Sequence, residues 1–305
     1  MNVLSLFDGM SCGRVALERA DIPVSKYYAS EIDKYATQVS QNNYPDIIRL
    51  GDINNWENWD IPWSDIDLIL AGSPCQGFSF AGKQLAFDDK RSALFFRFAE
   101  ILAHVQSLNP DVSFLLENVR MKKEYENVIT SIVGVEPVMI NSALVSAQNR
   151  QRLYWCNWNV EQPADKKILL NSILQNLPDC PIGIRVRDKS KSLRVGGVNS
   201  PVGSRQEWDS PYQIISKKGD LKLNQDKSGC LTAGGHSGGN HSDMDVVHAP
   251  LSTRRYSTIE CERLQTLPDN YTAGVSNTQR YKMLGNGWTV DVIAHILKHM
   301  NSIVI

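Results

Sequence analysis

Short apolar runs alternate with helical periodicity through the first half of the chain. Val3-Leu4-Ser5-Leu6-Phe7 reads as a buried strand that ends at Asp8-Gly9 and gives way to a helical stretch through Val15-Ala16-Leu17-Glu18. Tyr27-Tyr28-Ala29-Ser30 predicts a second strand, followed by a helix from Tyr35 to Gln41. Asp67-Leu68-Ile69-Leu70-Ala71 predicts a third apolar strand, residues 93–106 a helix, and Ser113-Phe114-Leu115-Leu116 another strand. Strands separated by helices imply parallel pairing through crossovers. The expected class is therefore α/β, a doubly wound and mostly parallel sheet whose ligands sit at the carboxyl ends of strands.

The pattern changes after about residue 160. Residues 181–250 are rich in Gly, Ser, Lys and Asp and poor in long apolar runs, which predicts a smaller part built of short strands and loops. Within 181–227 there are ten Lys/Arg against five Asp/Glu, centred on Arg185, Arg187, Lys189, Lys191 and Arg194. A solvated loop face and a polyanion contact are equally good readings of that charge. Helical patterns return at 257–267 and 288–300.

Composition narrows the class. The 305 residues, 42% hydrophobic and 21% charged, suffice for a full core and exclude wholesale disorder. A net charge of -1 excludes a histone-like basic coat but leaves room for a basic patch. The cysteines at 12, 75, 156, 180, 230 and 261 offer no Cys-x-x-Cys pair, so no metal is expected. The first residues carry no basic start, and no uncharged apolar stretch approaches the roughly 20 residues that span a membrane. A soluble, cytoplasmic protein with reduced thiols is expected.

Candidate chemistry clusters at strand ends. Phe7-Asp8-Gly9-Met10-Ser11-Cys12-Gly13 lies between a strand and a helix, where glycine lets backbone turn sharply and approach a ligand. Such a turn wants glycine in any case. Glu31, just after the second strand, has the position of an acceptor for two ribose hydroxyls. Asp52 stands where a further strand would end and suits an adenine amino group. Successive acids without a Lys-Ser/Thr phosphate signature fit an adenosyl ligand lacking phosphate; helix caps are the competing role.

Gly72-Ser73-Pro74-Cys75-Gln76-Gly77-Phe78-Ser79 follows the third strand and is the sharpest signal in the chain. Cys75 is bracketed by loop residues rather than an apolar run, which favours a reactive thiol. Glu117-Asn118-Val119 directly follows Phe114-Leu115-Leu116. A carboxylate there is costly unless paired or used. In Gln148-Asn149-Arg150-Gln151-Arg152, alternation predicts that Arg150 and Arg152 share one face of a strand and present two guanidinium groups to one site. A basic surface edge is the alternative.

Together these segments resemble the cytosine carbon-5 DNA methyltransferases, in the family's usual order over most of the chain. The resemblance continues with Glu260, Arg263-Leu264-Gln265 and Pro268, and closes on Leu284-Gly285-Asn286-Gly287. Leu6-Phe7-Asp8-Gly9, Pro137-Val138-Met139-Ile140 and Trp288-Thr289-Val290 resemble the de novo eukaryotic type, whereas the Cys75 segment follows the prokaryotic pattern, so a bacterial or phage enzyme is the simplest source. The chain departs from many relatives in Ser11-Cys12, where they carry more glycine, and in Gly287, where they carry serine.

The resemblance implies a Rossmann-like fold with S-adenosylmethionine as cofactor, double-stranded DNA as partner, no metal, and a cognate restriction endonuclease as at most a genetic partner. It implies a cofactor-binding and catalytic domain over 1–165 plus 284–305 and a target-recognition domain over 166–283. Cys75 then attacks carbon 6 of a flipped-out cytosine, Glu117 bonds its ring nitrogen 3 and amine, and Arg152 its carbonyl, with Arg150 supporting the site. Phe7, Asp8, Gly9, Ser11, Gly13, Glu31, Ile32, Asp52, Ile53, Pro74, Leu94, Asn286 and Gly287 are the implied cofactor residues. Gln76, Ser79, Lys83, Arg185, Arg187, Arg194, Arg205 and His236 are the implied DNA contacts. A transfer-RNA cytosine methyltransferase would carry Pro-Pro-Cys-Gln-Pro at the nucleophile, which is absent, and a catalytically dead relative should have lost Cys75 or Glu117.

Overall fold

The computed structural model describes residues 1–73, 93–175 and 256–300 in full, and the backbone of four short strands within 184–255. Strands β1 (Asn2–Leu6), β2 (Lys26–Ser30), β3 (Ile48–Arg49), β4 (Leu68–Gly72), β5 (Ser113–Val119), β6 (Val138–Asn141) and β7 (Gln151–Cys156) form one sheet. Their order is β3-β2-β1-β4-β5-β7-β6. β1 pairs parallel with β2 and β4, β2 with β3, and β4 with β5, whereas β7 runs antiparallel to β5. The chain winds outward from β1 to β3, then restarts at β4 on the other side. The carboxyl ends of β1 and β4 therefore flank the switch point where ligands bind in such sheets.

The central strands are apolar because both faces are covered. Leu4, Leu6, Ile69, Ala71, Phe114 and Leu116 pack in one cluster with Phe95, Phe98, Ile101, Leu102 and Val105 of helix α3 (Ala93–Leu108), after α1 (Cys12–Arg19) and α2 (Lys34–Asn43). Val3, Leu68, Leu70 and Leu115, on the alternate positions, are also fully buried. Burying each such side chain contributes about 1.5–3 kcal/mol, which fixes strand register.

Helix ends follow local chemistry. Asp33 caps α2, accepting from Tyr35 N at 2.9 Å and Ala36 N at 3.3 Å. α4 (Lys123–Val133) ends at Gly134, whose φ of 77° supplies the left-handed stop. Ser257 and Glu260 form a reciprocal capping box at the start of α5 (Thr258–Leu264), with α6 (Asn277–Asn286) and α7 (Val290–Met300) following.

The chain divides into two compact units, one of Met1–Ile140, Gln151–Gln162 and Ile293–Ile305, the other of Asn141–Arg150 and Pro163–Val292. The first contains the large sheet. The second contains the antiparallel pairs β8 (Ile184–Val186) with β9 (Tyr212–Ile214) and β10 (Val246–Ala249) with β11 (Ser252–Arg255). Its fully buried Glu262 is satisfied by Arg280 Nη2 at 2.9 Å and by the backbone N–H groups of Thr272 and Asn270.

Two features differ from the sequence expectation. α4 and β6 are not among the expected elements, although Tyr125, Ile129, Ile132 and Val133 recur at helical spacing in α4. Arg150 precedes β7, which begins at Gln151, so the two arginines do not share a strand face. The reason is that Arg150 is outside the ladder: its N–H donates to a side chain, Asn141 Oδ1, and its carbonyl accepts from Ser142 N.

Candidate active site

Three consecutive strand ends converge in the first unit. Asp8 N donates to Ser30 O at 3.0 Å, and Ser30 Oγ donates to Gly51 O at 2.8 Å. These bonds bring together the loops that carry Phe7–Ser11, Glu31 and Asp52. Glu31 Oε2 accepts from Gly9 N at 2.8 Å, and Oε1 accepts from Ile32 N at 2.9 Å and Asp33 N at 2.8 Å. Burial pushes the Glu31 carboxyl up, against the lowering effect of those N–H groups. Asp52 Oδ1 caps the following turn through Asn54 N at 2.9 Å. Capping and ligand binding are thus compatible, because each carboxylate keeps acceptor capacity.

The loop itself is unusual backbone. Phe7, Gly9 and Ser11 have φ of 58°, 59° and 64°. The resemblance's departure at Ser11 falls on a left-handed residue, where glycine would be the easy choice. Asp8 sits beneath, receiving Ser5 Oγ at 2.7 Å, Tyr27 Oη at 2.8 Å and the Ser11 hydroxyl, which also contacts Ser40. Burial pushes the Asp8 carboxyl up, and the hydroxyls of Ser11, Ser5 and Tyr27 oppose it.

The expected cofactor residues separate by exposure. Ile32 is 76% exposed, an isolated large apolar side chain beside Glu31. Phe7 and Leu94 are half-buried against the core. Ser11, Gly13 and Ile53 are buried, so the Ser11 hydroxyl faces Asp8 and Ser40, and Ile53 belongs to the core.

The second cluster lies at the end of β5. Gly72 of β4 is in register with Glu117, which places this carboxylate beside the strand end that leads to Cys75. Arg152 Nε lies 2.9 Å from Glu117 Oε1. Asn118 Nδ2 donates to Ser73 Oγ at 3.0 Å, and Asn118 Oδ1 accepts from Val119 N at 2.8 Å. Asn118 therefore ties β5 to the residue two positions before Cys75. Its role was not visible in the sequence, although it stands inside the Glu117-Asn118-Val119 motif. Cys12, Cys156 and Cys261 are buried thiols, and burial pushes Cys156 up to about 11. Among the described cysteines none is placed as an exposed nucleophile.

The second unit holds its own polar knot. Arg150, 4% exposed, donates to Gly285 O at 3.3 Å and Gly287 O at 3.0 Å. Gln265 Nε2 donates to Leu284 O at 2.7 Å and Gly287 O at 3.2 Å, and Gln265 Oε1 accepts from Thr289 Oγ1 at 2.8 Å. Arg150 and Gln265 thus clamp the turn at Asn286-Gly287. The residue types gave no hint of the Gln265 role, since glutamine in a helix is usually solvated.

Pro74, Cys75, Gln76, Ser79, Lys83, Arg187, Arg194, Arg205 and His236 lie outside the described residues, as does the side chain of Arg185. Among the described residues no group of His, Cys, Asp and Glu is placed to hold a metal ion, and no helix is long and apolar enough to cross a membrane.

Known proteins are similar to this chain. The Type II methyltransferase M1.ScrFI of Lactococcus lactis subsp. cremoris is 28% identical over 98% of this chain and 77% of its own length. The Type II methyltransferase M.NgoBI of Neisseria gonorrhoeae is 30% identical over 95% of this chain and 90% of its own. The crystallised methyltransferase EhMeth of Entamoeba histolytica superposes with a TM-score of 0.70 over 100% of this chain and 99% of its own, at 14% identity, a likeness of fold. The family model described as C-5 cytosine-specific DNA methylase matches residues 1–302, and the chain belongs to that family.

Proposed function

We propose that this methyltransferase transfers a methyl group from S-adenosylmethionine to carbon 5 of a cytosine in a short duplex DNA sequence, as a Type II modification enzyme. The observation that carries the reading is the Glu117–Arg152 pair, 2.9 Å apart, in register with the strand end leading to Cys75. The curated relatives named as Type II methyltransferases support the substrate class.

The strand-end acids fit the cofactor. Glu31 and Asp52 offer acceptors to hydroxyl and amine donors, and the exposed Ile32 offers an apolar surface to a purine. Phe7, Leu94, Pro74, Asn286 and Gly287 are the further residues that the resemblance assigns to the cofactor. When bound, S-adenosylmethionine supplies an electrophilic methyl group.

The chain's own residues prepare the cytosine. Carbon 5 is too poor a nucleophile to be alkylated directly. The Cys75 thiolate adds to carbon 6, forming a carbon–sulfur bond and pushing electrons toward carbon 5. Glu117 accepts from the exocyclic amine and shares a proton with ring nitrogen 3, and that proton lets the ring accept the electrons displaced by the thiolate. Arg152 holds Glu117 and lies within reach of the carbonyl oxygen. Arg150 acts on backbone, not on the base. After methylation, loss of the carbon-5 proton and expulsion of Cys75 restore the aromatic ring. The target is extruded from the duplex at a cost of a few kcal/mol, with Gln76, Ser79 and Lys83 as DNA contacts. Arg185, Arg187, Arg194, Arg205 and His236, within the 166–283 target-recognition segment, supply phosphate and base contacts.

The test is bisulfite sequencing of genomic DNA from a methylation-free bacterial host expressing the chain or its Cys75→Ala variant. Protected cytosines in one short motif, absent with the variant, are expected. No protected cytosine from soluble, cofactor-binding protein would overturn the reading.

A further inference from the structure

Phe7 and Ser11 each hold a left-handed φ, at 58° and 64°, on either side of Gly9 at 59°. For non-glycine residues that conformation is sterically disfavoured, and it persists only where surroundings over-determine it. Two backbone bonds, from Asp8 N to Ser30 O and from Ser11 N to Asp8 O, and the bond from Gly9 N to the Glu31 carboxylate do part of this. The remainder converges on one side chain. Asp8 Oδ1 receives Ser5 of β1 and Tyr27 of β2, and Oδ2 receives Ser11, whose hydroxyl in turn meets Ser40 of α2. Two strands are thereby bonded, through one carboxylate, to the residue that opens α1, and that residue also meets α2 directly.

We propose that Asp8 is a positioning residue of the cofactor loop, which pins the Ser11 hydroxyl and so presets the left-handed turns before a cofactor arrives. The inference rests on the S-adenosylmethionine reading. Asp8 is 9% exposed and Ser11 and Ser40 are fully buried, so the Ser11 hydroxyl is spent inward. A buried carboxylate is costly unless its hydrogen bonds are made. Here the bonds go to three hydroxyls that anchor the loop. The carboxylate acts through Ser11 and not by touching the ligand.

The experiment is calorimetric titration of S-adenosylmethionine into the wild type, Asp8→Ala, Ser11→Gly and the double variant, with steady-state kinetics on DNA. Glycine reaches φ near +64° without being pinned. Asp8→Ala is expected to weaken binding about tenfold, while kcat at saturating cofactor stays within about twofold and KM for the cofactor rises. In the Ser11→Gly background the Asp8→Ala effect shrinks, beyond the roughly twofold tolerance of additivity. Equal weakening in both backgrounds, or a fall in kcat matching the fall in kcat/KM, means direct contact and overturns the proposal. An unchanged affinity in Asp8→Ala does the same. Should Asp8→Ala not fold, Asp8→Asn keeps the shape and turns an N–H toward Ser11, and the same cycle applies. A wild type that fails to bind S-adenosylmethionine overturns the cofactor reading itself; a wild type that binds, with Asp8 variants that bind equally well, overturns this inference alone.

Discussion

Arg152 reaches diagonally across an antiparallel strand pair to Glu117. Opposite Arg152 in the ladder stands Val119, and opposite Glu117 stands Tyr154, so the ion pair joins positions two residues out of register on one face. Long side chains bridge such diagonals. Their side chains are 13% and 10% exposed, and Nε to Oε1 is 2.9 Å. The carboxylate is therefore oriented by a planar cation before any base is present. In the proposed chemistry that preorganisation is what lets Glu117 meet nitrogen 3 and the amine without reorganising.

Arg152→Ala removes that cation from a nearly buried carboxylate. Losing one partner of a buried pair costs about 3 kcal/mol or more, and the turnover step should fall by about a hundredfold or more, the range expected for a displaced proton-handling group. Arg152→Lys keeps the charge but loses the rigid fork, and should fall between. Single-turnover methylation and urea unfolding measure the two effects. An Arg152→Ala enzyme with wild-type turnover would contradict the role given to the pair.

Asn118→Ala should hurt through Ser73. Asn118 is 1% and Ser73 5% exposed, so deleting the amide strands a buried hydroxyl and the Val119 N–H. An unsatisfied buried group costs about 1–3 kcal/mol. Because Ser73 lies two residues before Cys75, covalent trapping on duplex DNA containing 5-fluorocytosine should also slow. Equal trapping rates for variant and wild type, with lowered stability, would confine Asn118 to a structural role.

The central strands and their helices are legible in the chain because burial on both faces leaves uninterrupted apolar runs. Val3–Phe7 reads as a strand, and β1 is Asn2–Leu6; residues 93–106 read as a helix, and α3 is Ala93–Leu108. α4 is legible too, since Tyr125, Ile129, Ile132 and Val133 recur at helical spacing, although it is not among the expected elements. β3, with two residues, is too short to carry a pattern. Glu117 and Arg152 stand out as charges at apolar strand ends. Asn118, Gln265 and Ser40 do not, since a polar residue's hydrogen-bond partner lies far along the chain. Arg150 shows the limit of alternation: the period of two holds only inside a strand, and the strand starts one residue later.

Arg150→Ala should destabilise more than it slows chemistry. The guanidinium serves the carbonyls of Gly285 and Gly287, and Gln265 still reaches Gly287 O at 3.2 Å. Gly285 O is then the group left short, at a cost of about 2 kcal/mol, or roughly 3 °C in Tm for a chain of this size. Arg150→Lys recovers part of this, because one ammonium cannot fork to both carbonyls. Thermal unfolding and KM for the cofactor, compared with the Arg152 variants, separate a backbone clamp from a base contact: the clamp predicts a loss of Tm with kcat largely kept.

Glu31 gives the pH test. Burial raises its carboxyl above the ordinary value, and the folded state therefore holds its proton more tightly than the unfolded state. The corresponding stability is fully present below the unfolded pKa of about 4.3 and is lost as pH rises through the folded value. Glu31→Gln has no such loss. Its amide does place an N–H opposite Gly9 N, a penalty that does not depend on pH. The Tm of the variant should thus start below that of the wild type near pH 4 and gain on it as pH rises toward about 7. Its affinity for S-adenosylmethionine should fall at every pH, because the oxygen proposed to accept from ribose hydroxyls has in part been replaced by a donor. Parallel Tm curves for the two proteins would mean that the N–H groups of Gly9, Ile32 and Asp33 outweigh burial, and a widening gap would reverse the sign of the linkage.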